Sequence, residues 1–323
     1  MNAFAKIGLV ASLSLGGAVA QAQPDADYPS KPIKFILPSS PGGGGDMVGR
    51  LIGDALARRL GQPVIIENNA GASGTIAISQ LSKSRPDGYT IGLGTMTSTT
   101  LAPTVYPKLP YDPVKDLTTI AGIGTSPIVL LVSNDVPVKN LKEFLDYARK
   151  SPDPVQYGSW GLGSTGHFCA EVLAQKTGVK LSHVPYKGSA PVMTAMLGGE
   201  IKAAWLDMAT GTAAVRTGKI HPVALCSRPT AAFANVGTYK AQGVDFDQWT
   251  GWAMFAPPNL PKPVLDKLAN AVRQTITDPV IAAKLLDWGI TAEFIPGEQR
   301  NADNAKDIQA WRKIAVDAGM KFD

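Results

Sequence analysis

A glycine-rich loop near the start of the chain contains the first residues suited to chemistry. The segment PSSPGGGGD, residues 38–46, follows an apolar run and leads into a helical pattern. Its candidate ligand contacts are Ser39, Ser40, Gly44, Gly45 and Asp46. Glycine lets backbone N–H groups approach a ligand, and a helix N-terminus carries partial positive charge, so the segment suits a bound anion. A flexible surface turn is the alternative, whereas a phosphate loop would require Lys-Ser/Thr where Asp46 and Met47 stand.

A second glycine-rich loop, GSWGLGSTGH at residues 158–167, repeats the order of strand, turn and helix start. Its candidate contacts are Trp160, Gly161, Leu162, Gly163, Ser164 and Thr165. Residues 161–166 match the dinucleotide pattern GxGxxG, but residues 180–190 lack the acidic residue expected about 20 positions later. A nucleotide-dependent oxidoreductase therefore stays a weaker alternative to a small-anion site. Because both loops follow strands, we expect them to face each other and hold the two ends of a dianion.

Two further places contribute candidate contacts. The hydroxyl-rich stretch GTMTSTT, residues 94–100, follows a predicted strand and would line a cleft through Thr97 and Ser98. Its alternative is a capped loop with side chains in water. Asp207 also follows a predicted strand and would meet a ligand amine or hydroxyl, although a helix N-cap is the slightly favoured interpretation.

Composition and the remaining reactive residues narrow the function classes. The net charge of +5 is spread along the chain without basic runs, so nucleic acid is not an expected partner. The three histidines form no metal motif, and His167, beside the second loop, is expected to make a structural hydrogen bond. We therefore predict no metal, no cofactor and no catalytic residue. Cys169 and Cys226 lie in apolar contexts that favour buried free thiols, although their spacing leaves a disulfide open.

Apolar runs and helical spacings alternate along the chain and predict two α/β units with a cleft between them. Strands are predicted at residues 34–38, 64–67, 89–93, 128–133, 155–159, 183–186, 201–206, 222–225 and 249–256. Helices are predicted at residues 47–60, 74–84, 141–150, 167–177, 189–197, 211–217, 262–277, 279–288 and 302–318. This alternation predicts parallel sheets covered on both faces. Residues 1–22 read as a secretory signal peptide, so the mature chain is expected to be exported.

Several motifs together resemble the Bug family, the periplasmic receptors of tripartite tricarboxylate transporters. They are YPSKPIKFILPSSPGGGGD, LGQPVIIENNAGASGTIAI, RPDGYTIGLG, YGSWGLGSTGH, VPYKGSAPVMTAMLGGEI and GWAMFAPPNLPKPVLDKL. The resemblance implies a two-lobed periplasmic binding protein of type II-like fold, with a mixed sheet flanked by helices in each lobe. It places residues 28–127 and 252–323 in the first lobe and residues 128–251 in the second.

The resemblance also implies the function. The expected ligand is a small organic carboxylate bound in the cleft, and the expected partners are the membrane permease subunits of a tripartite tricarboxylate transporter. The receptor is expected to be a periplasmic monomer without enzymatic activity. Presentation of the ligand to a membrane sensor kinase is the alternative use of the same binding.

Three departures from the family pattern bear on the ligand. The family usually has an aromatic residue near Ser39 and a Thr or Ser near Gly45, and it commonly has a small residue where this chain has Trp160. An indole in the cleft would stack on an aromatic ring, so aromatic mono- or dicarboxylates such as terephthalate stand beside aliphatic di- and tricarboxylates as candidates. The alternative is that Trp160 packs against a neighbouring helix.

Overall fold

The strands of this protein, seen in a computed structural model that describes residues 28–247 and 250–317, form two separate mixed sheets. The predicted signal peptide, residues 1–22, lies outside the described residues. The strands are β1 (Ile33–Leu37), β2 (Val64–Asn68), β3 (Thr90–Thr95), β4 (Thr118–Ser126), β5 (Ile128–Ser133), β6 (Val155–Ser159), β7 (Leu181–Pro185), β8 (Ala203–Asp207), β9 (Ile220–Leu225), β10 (Thr250–Ala256) and β11 (Thr291–Pro296).

Helices cover both sheets. They are α1 (Gly44–Leu60), α2 (Thr75–Ser82), α3 (Ala102–Val105), α4 (Leu141–Lys150), α5 (Thr165–Thr177), α6 (Ser189–Leu197), α7 (Met208–Val215), α8 (Lys262–Ile276), α9 (Pro279–Asp287) and α10 (Gly297–Asp317). Glycines in the left-handed conformation end α1 at Gly61 and α5 at Gly178, as expected for glycine after a helix. No helix within the described residues has both the length and the apolar character of a membrane span.

The first sheet has six strands in the order β11-β4-β10-β3-β1-β2. Strand β1 runs parallel to β2 and β3, whereas β10 is antiparallel to β3 and β4. Its apolar face packs on α1 and α8 through residues such as Phe35, Ile52 and Leu268. We call this sheet with its helices the first lobe.

The second sheet has five strands in the order β7-β6-β8-β5-β9. Strand β6 runs parallel to β7 and β8, and β5 is antiparallel to β8 and β9. We call this sheet and helices α4 to α7 the second lobe. One residue, Pro127, separates the end of β4 in the first sheet from the start of β5 in the second.

The structure corrects three expectations. The alternating pattern alone predicted parallel sheets, but both are mixed, as the family resemblance implied, because β4, β10 and β11 join the first sheet antiparallel to their neighbours and β5 does so in the second. Strands β4 and β11 were not predicted. Cys169 and Cys226 are not free thiols but form a disulfide between α5 and the residue after β9, with their Cα atoms 6.0 Å apart.

The final helix is longer than predicted and touches both lobes. It begins at Gly297 rather than at residue 302, and it contacts β4 and β11 of the first sheet. Near its end, Trp311 packs edge-on against Phe168 of α5, with ring centroids 5.6 Å apart. Helix α10 therefore joins the core of the second lobe as well.

Candidate functional site

A cavity with about 600 Å³ of empty space, including the part open to solvent, lies between loops of the two lobes. Six of the predicted contact residues line it: Ser39, Gly45, Thr97, Trp160, Thr165 and Asp207. The other predicted residues are not among its lining residues; they are Ser40, Gly44, Asp46, Ser98, Gly161, Leu162, Gly163 and Ser164.

The cavity also has lining residues that the sequence reasoning missed. They are Pro38, Ala70, Gly71, Ser73, Gly74, Thr95, Ile128, Gly188, Ser189, Thr250 and Trp252. The run of positive φ angles from Gly71 to Gly74 is a third glycine-containing turn before a helix, which the motif GASG signals. Ile128 and Thr250 begin β5 and β10, where the chain passes between the lobes.

Helix starts dominate the electrostatics of the cavity. Helices α1, α2, α5, α6 and α7 begin at or next to the lining residues Gly45, Gly74, Thr165, Ser189 and Asp207. No lysine or arginine is among the described residues that line it, and Asp207 supplies the carboxylate. Because helix N-termini carry partial positive charge, the five helix starts favour an anion in the cavity.

The first loop, residues 38–46, is held from behind by Asp46. This buried carboxylate accepts hydrogen bonds from the backbone amide of Gly42 at 2.9 Å, from Asn68 Nδ2 at 2.9 Å and from Arg50 Nε at 3.0 Å. Burial would raise the pKa of Asp46, but these hydrogen bonds and the Arg50 charge hold it below its ordinary value. Asp46 thus shapes the loop and does not line the cavity.

The serine hydroxyls of the first loop, unlike the Asp46 carboxylate, are unpaired among the described residues. The Oγ atoms of Ser39 and Ser40 are buried, and neither has a hydrogen-bond partner among the described residues. Buried polar groups are nearly always paired in proteins. These two serines therefore have unused hydrogen-bonding capacity beside the cavity.

Gly44 and Asp207 bring the two lobes together. The Gly44 amide donates to Thr210 Oγ1 at 2.8 Å, and Thr210 Oγ1 in turn donates to Asp207 Oδ2 at 3.0 Å. Asp207 also accepts from the Thr210 amide at 2.9 Å, so it is the N-cap of α7, as the favoured interpretation held. A Cβ atom at Gly44 would overlap Asp207 Oδ1, which explains why only glycine fits this contact.

Several amides of the second loop, residues 158–167, already have partners inside the protein. Gly161 donates to Ser159 Oγ at 3.3 Å, and Gly163 donates to His167 Nδ1 at 3.1 Å. The Ser164 amide donates to the Gly161 carbonyl at 3.1 Å, and its hydroxyl caps α5 by accepting from the His167 amide. The loop is thus built as an internally bonded wall.

Two stacked histidines support this wall. The rings of His167 and His183 are 4.0 Å apart between centroids, and His183 Nε2 lies 2.7 Å from Ser159 Oγ. Burial, with a smaller contribution from His183, lowers the pKa of His167 to about 3, and burial lowers that of His183 to about 4. Both imidazoles are therefore neutral at pH 7, and His167 makes the structural hydrogen bond expected of it.

The hydroxyl-rich stretch after β3 forms a helical turn. Residues Thr97–Leu101 are π-helical, and Thr97 Oγ1 accepts from the Thr165 amide across the cleft at 3.2 Å. Ser98 turns inward, where its hydroxyl pairs with Thr95. Asn304 of α10 fixes the turn from behind by donating to the Thr99 carbonyl at 3.1 Å.

Two indoles complete the cavity. Trp160 lines it and also packs against α5, since a Cβ atom at Gly166 would lie 2.7 Å from its ring. Both interpretations of Trp160 are therefore compatible with its position. Trp252 of β10 lines the cavity from the first lobe, and its Nε1 atom donates to Ser126 Oγ at 3.4 Å.

Known proteins resemble this chain over most of its length. The family model described as "Tripartite tricarboxylate transporter family receptor" (TctC) matches residues 48–319. A protein of Bordetella pertussis named only as a member of the group UPF0065 is 34% identical over 311 residues, which cover 96% of this chain and 94% of that protein.

Solved structures resemble it equally closely. The periplasmic binding protein BugD superposes with a TM-score of 0.87 at 28% identity, covering 91% of this chain and 99% of BugD. R. palustris Rpa4515, solved with adipate, has a TM-score of 0.87 at 30% identity, covering 91% and 99%. MatC from Rhodopseudomonas palustris, with bound malate, has a TM-score of 0.82 at 27% identity, covering 89% and 99%. The chain therefore belongs to the TctC family of receptors and has the two-lobed fold of the periplasmic solute-binding proteins.

Proposed function

We propose that this protein binds a small dicarboxylate in the cavity between its lobes and passes it to a membrane permease. The observation that carries the proposal is the convergence of five helix starts on a cavity whose described lining contains no lysine or arginine. Such a site stabilises negative charge through fixed dipoles and N–H groups, which need no reorganisation when the ligand arrives. The malate and adipate of the two related structures are of this chemical class.

The two indoles bear on which dicarboxylate is bound. Trp160 and Trp252 come from different lobes and both line the cavity. Stacking on an aromatic ring adds about 0.5–1.5 kcal/mol beyond simple burial, which corresponds to roughly two- to tenfold in affinity. We therefore propose that an aromatic dicarboxylate such as terephthalate binds more tightly than an aliphatic diacid of similar length.

We further propose how the predicted residues divide the work. The lining residues Ser39, Gly45, Thr97, Trp160, Thr165 and Asp207 contact the ligand directly. Gly44 joins the first loop to α7, and Gly161, Gly163 and Ser164 hold the second loop through bonds within the protein. Residues 28–127 with 252–323, and residues 128–251, act as the two lobes that close over the ligand, and bending occurs where β4 passes into β5.

Isothermal titration calorimetry tests the proposal. The chain without residues 1–22 is titrated with adipate, malate and terephthalate, and with adipamide as the matched uncharged control. We expect at least one diacid to bind in the micromolar range or tighter and adipamide to show no binding. NADH serves as the test of the oxidoreductase alternative. Absence of binding by a broad panel of organic acids, or tight binding of NADH, would overturn the proposal.

Delivery to a permease is tested in the cell. The gene is deleted, and both uptake of the radiolabelled diacid and transcription of its catabolic genes are measured. Loss of uptake, with transcription still induced when the diacid is made inside the cell, supports a transport receptor. Loss of transcription with normal uptake would assign the protein to a sensor kinase instead.

A further inference from the structure

Ser73 lies in a turn of unusual backbone conformation at the edge of the cavity. The turn, Ala72–Gly74, precedes α2, which packs on β1 and β3 of the first lobe. Ala72, with φ at +43°, and Ser73, with φ at +54°, are both in the left-handed region, which few residues other than glycine adopt. Strained residues of this kind persist where surrounding contacts hold them, and they cluster at functional sites. We therefore expect a contact of Ser73 to hold this conformation.

The Ser73 hydroxyl makes such a contact with the second lobe. Its Oγ atom donates to the backbone carbonyl of Leu162, in the second glycine-rich loop, at 2.6 Å. Ser73 is 7% exposed, so little water competes for this bond. The close approach requires glycine at position 161, because a Cβ atom at Gly161 would lie 2.6 Å from Ser73 Oγ. The bond therefore joins the turn before α2 directly to the second loop.

A second hydroxyl donates to the same carbonyl from a different setting. Tyr106 follows α3, and its hydroxyl lies 3.3 Å from the Leu162 carbonyl oxygen. The preceding residue, Val105, packs in one buried apolar cluster with Phe168 and other residues of the second lobe. A Cβ atom at Gly163 would lie 2.5 Å from Val105 Cγ1, so the end of α3 also lies against the second loop. Of the two bonds to Leu162, the one from Ser73 thus ties the loop to the body of the first lobe.

We propose that Ser73 is a positioning residue that latches the second loop over the cavity and sets how long a ligand stays bound. The inference rests on the proposed function, because it concerns release of the ligand from the same cavity. Ser73 acts through the Leu162 carbonyl and not through the ligand. Release requires the lobes to separate, which breaks the bond, so the bond slows dissociation. Association begins with the lobes apart, so its rate does not depend on the bond.

Dissociation rates test the latch. Stopped-flow fluorescence of Trp160 and Trp252, which line the cavity, follows the release of adipate, malate and terephthalate from the wild type and from Ser73→Ala. Loss of one hydrogen bond should raise the dissociation rate about fivefold and leave the association rate unchanged. The factor should be the same for every diacid that binds, because the hydroxyl does not contact the ligand. An unchanged dissociation rate, or a factor that differs between the diacids, would overturn the latch.

Two control variants separate other causes. Tyr106→Phe removes the other hydroxyl that donates to Leu162, and it should leave the dissociation rate at the wild-type value. Ala72→Gly changes the backbone of the same turn but keeps the Ser73 hydroxyl, so it should not raise the rate. A rise in Tyr106→Phe equal to that in Ser73→Ala would show that pairing of the carbonyl, and not a link between the lobes, is responsible. An equal rise in Ala72→Gly would assign the effect to the backbone of the turn.

Small-angle X-ray scattering of the ligand-free protein decides the latch if no diacid binds. In that case the proposed function fails, but the bond between Ser73 and Leu162 is still testable. Its loss should let the lobes separate, so the radius of gyration of Ser73→Ala should exceed that of the wild type, with Tyr106→Phe unchanged. Equal radii for Ser73→Ala and the wild type would then overturn the latch.

Discussion

The first and second glycine-rich loops occupy equivalent places after β1 and β6, yet their serine hydroxyls are in opposite states. The first loop leaves the hydroxyls of Ser39 and Ser40 buried without partners among the described residues. The second loop pairs its hydroxyls within the protein, because Ser164 Oγ donates to Ser159 Oγ and accepts from the His167 amide. Unpaired donors beside a cavity favour a ligand, whereas paired ones give rigidity. Perturbing the first loop should therefore reduce affinity, and perturbing the second should reduce stability.

The largest expected effect is loss of the disulfide that backs the second loop. Cys169 lies in α5, two residues after the loop ends, and is joined to Cys226 across a separation of 57 residues. Closing a loop of this length stabilises a protein by about 4 kcal/mol in the chain-entropy account. Cys169→Ala with Cys226→Ala should lower the melting temperature on the order of 10 °C while changing affinity little. Reducing agent should lower the melting temperature of the wild type and leave the variant unaffected; equal responses would contradict the prediction.

Next in size is a substitution in the first loop. Gly44→Ala would place its Cβ atom 2.6 Å from Asp207 Cγ and break the amide bond to Thr210 that joins the lobes. We expect affinity to fall about 100-fold, or roughly 2.7 kcal/mol, while each lobe keeps its fold. The matched control is Gly53→Ala in the same helix, where the new atom meets only the flexible end of Ile66 at 3.1 Å. Wild-type affinity in Gly44→Ala would show that closure does not need this contact.

A third test uses pH, because among the described residues histidine side chains hydrogen-bond to the second loop and not to the first. His167 is neutral when folded because burial, with help from His183, lowers its pKa from 6.5 to about 3. Glu171 lies 3.8 Å from its Nε2 atom and favours the charged form, but burial prevails. Because the pKa of His167 is lower in the folded than in the unfolded protein, its contribution to the free energy of unfolding is full above pH 6.5. That contribution is lost as the pH falls toward 3, by up to about 1.4 kcal/mol per pH unit.

The measurement is urea unfolding at pH 7, 6, 5 and 4 for the wild type and His167→Gln. The stability of the wild type should fall more steeply with decreasing pH than that of the variant. Titration of Asp46 in the first loop does not disturb this comparison of stabilities. The pKa of Asp46 lies below its ordinary value of 3.8, so its contribution to the free energy of unfolding is lost only in more acidic solution. If the stabilities of the two proteins fall in parallel as the pH decreases, protonation of His167 does not cause the loss of stability.

Much of the fold could be predicted from the sequence because its central elements are strongly patterned. The continuous apolar run of β5 and the helical spacing of α1 and α8 each indicate one structure. Strand β4 was missed because Gly122 and Gly124 interrupt its apolar pattern, and β11 because it is a short edge strand that ends in proline. The disulfide was missed because spacing alone does not determine which cysteines pair.

The candidate site was only partly predictable, for a related reason. The glycine-rich loops are visible as motifs, but their partners are distant in sequence, as with Gly44 and Thr210, which are 166 residues apart. Trp252 and Gly188 reach the cavity only through the tertiary fold. The two loops also look alike in sequence. Thr97, which accepts from the Thr165 amide, lies outside the motif of the second loop, and Ser159, which accepts from the Gly161 amide, lies inside it without a distinguishing pattern.

The smallest effect comes from the same substitution made in each loop. Ser164→Ala removes the hydroxyl that caps α5 by accepting from the His167 amide, so stability should fall by about 1 kcal/mol with little change in affinity. Ser39→Ala removes a buried hydroxyl that has no partner among the described residues, so stability should stay constant or rise. Its affinity for the diacid should nevertheless fall by about three- to tenfold, because the lost hydroxyl would have donated to a carboxylate oxygen. Chemical denaturation measures the stability of both variants, and calorimetry measures their affinity for the diacid. If Ser39→Ala loses stability and keeps its affinity, the first loop has a structural role like that of the second.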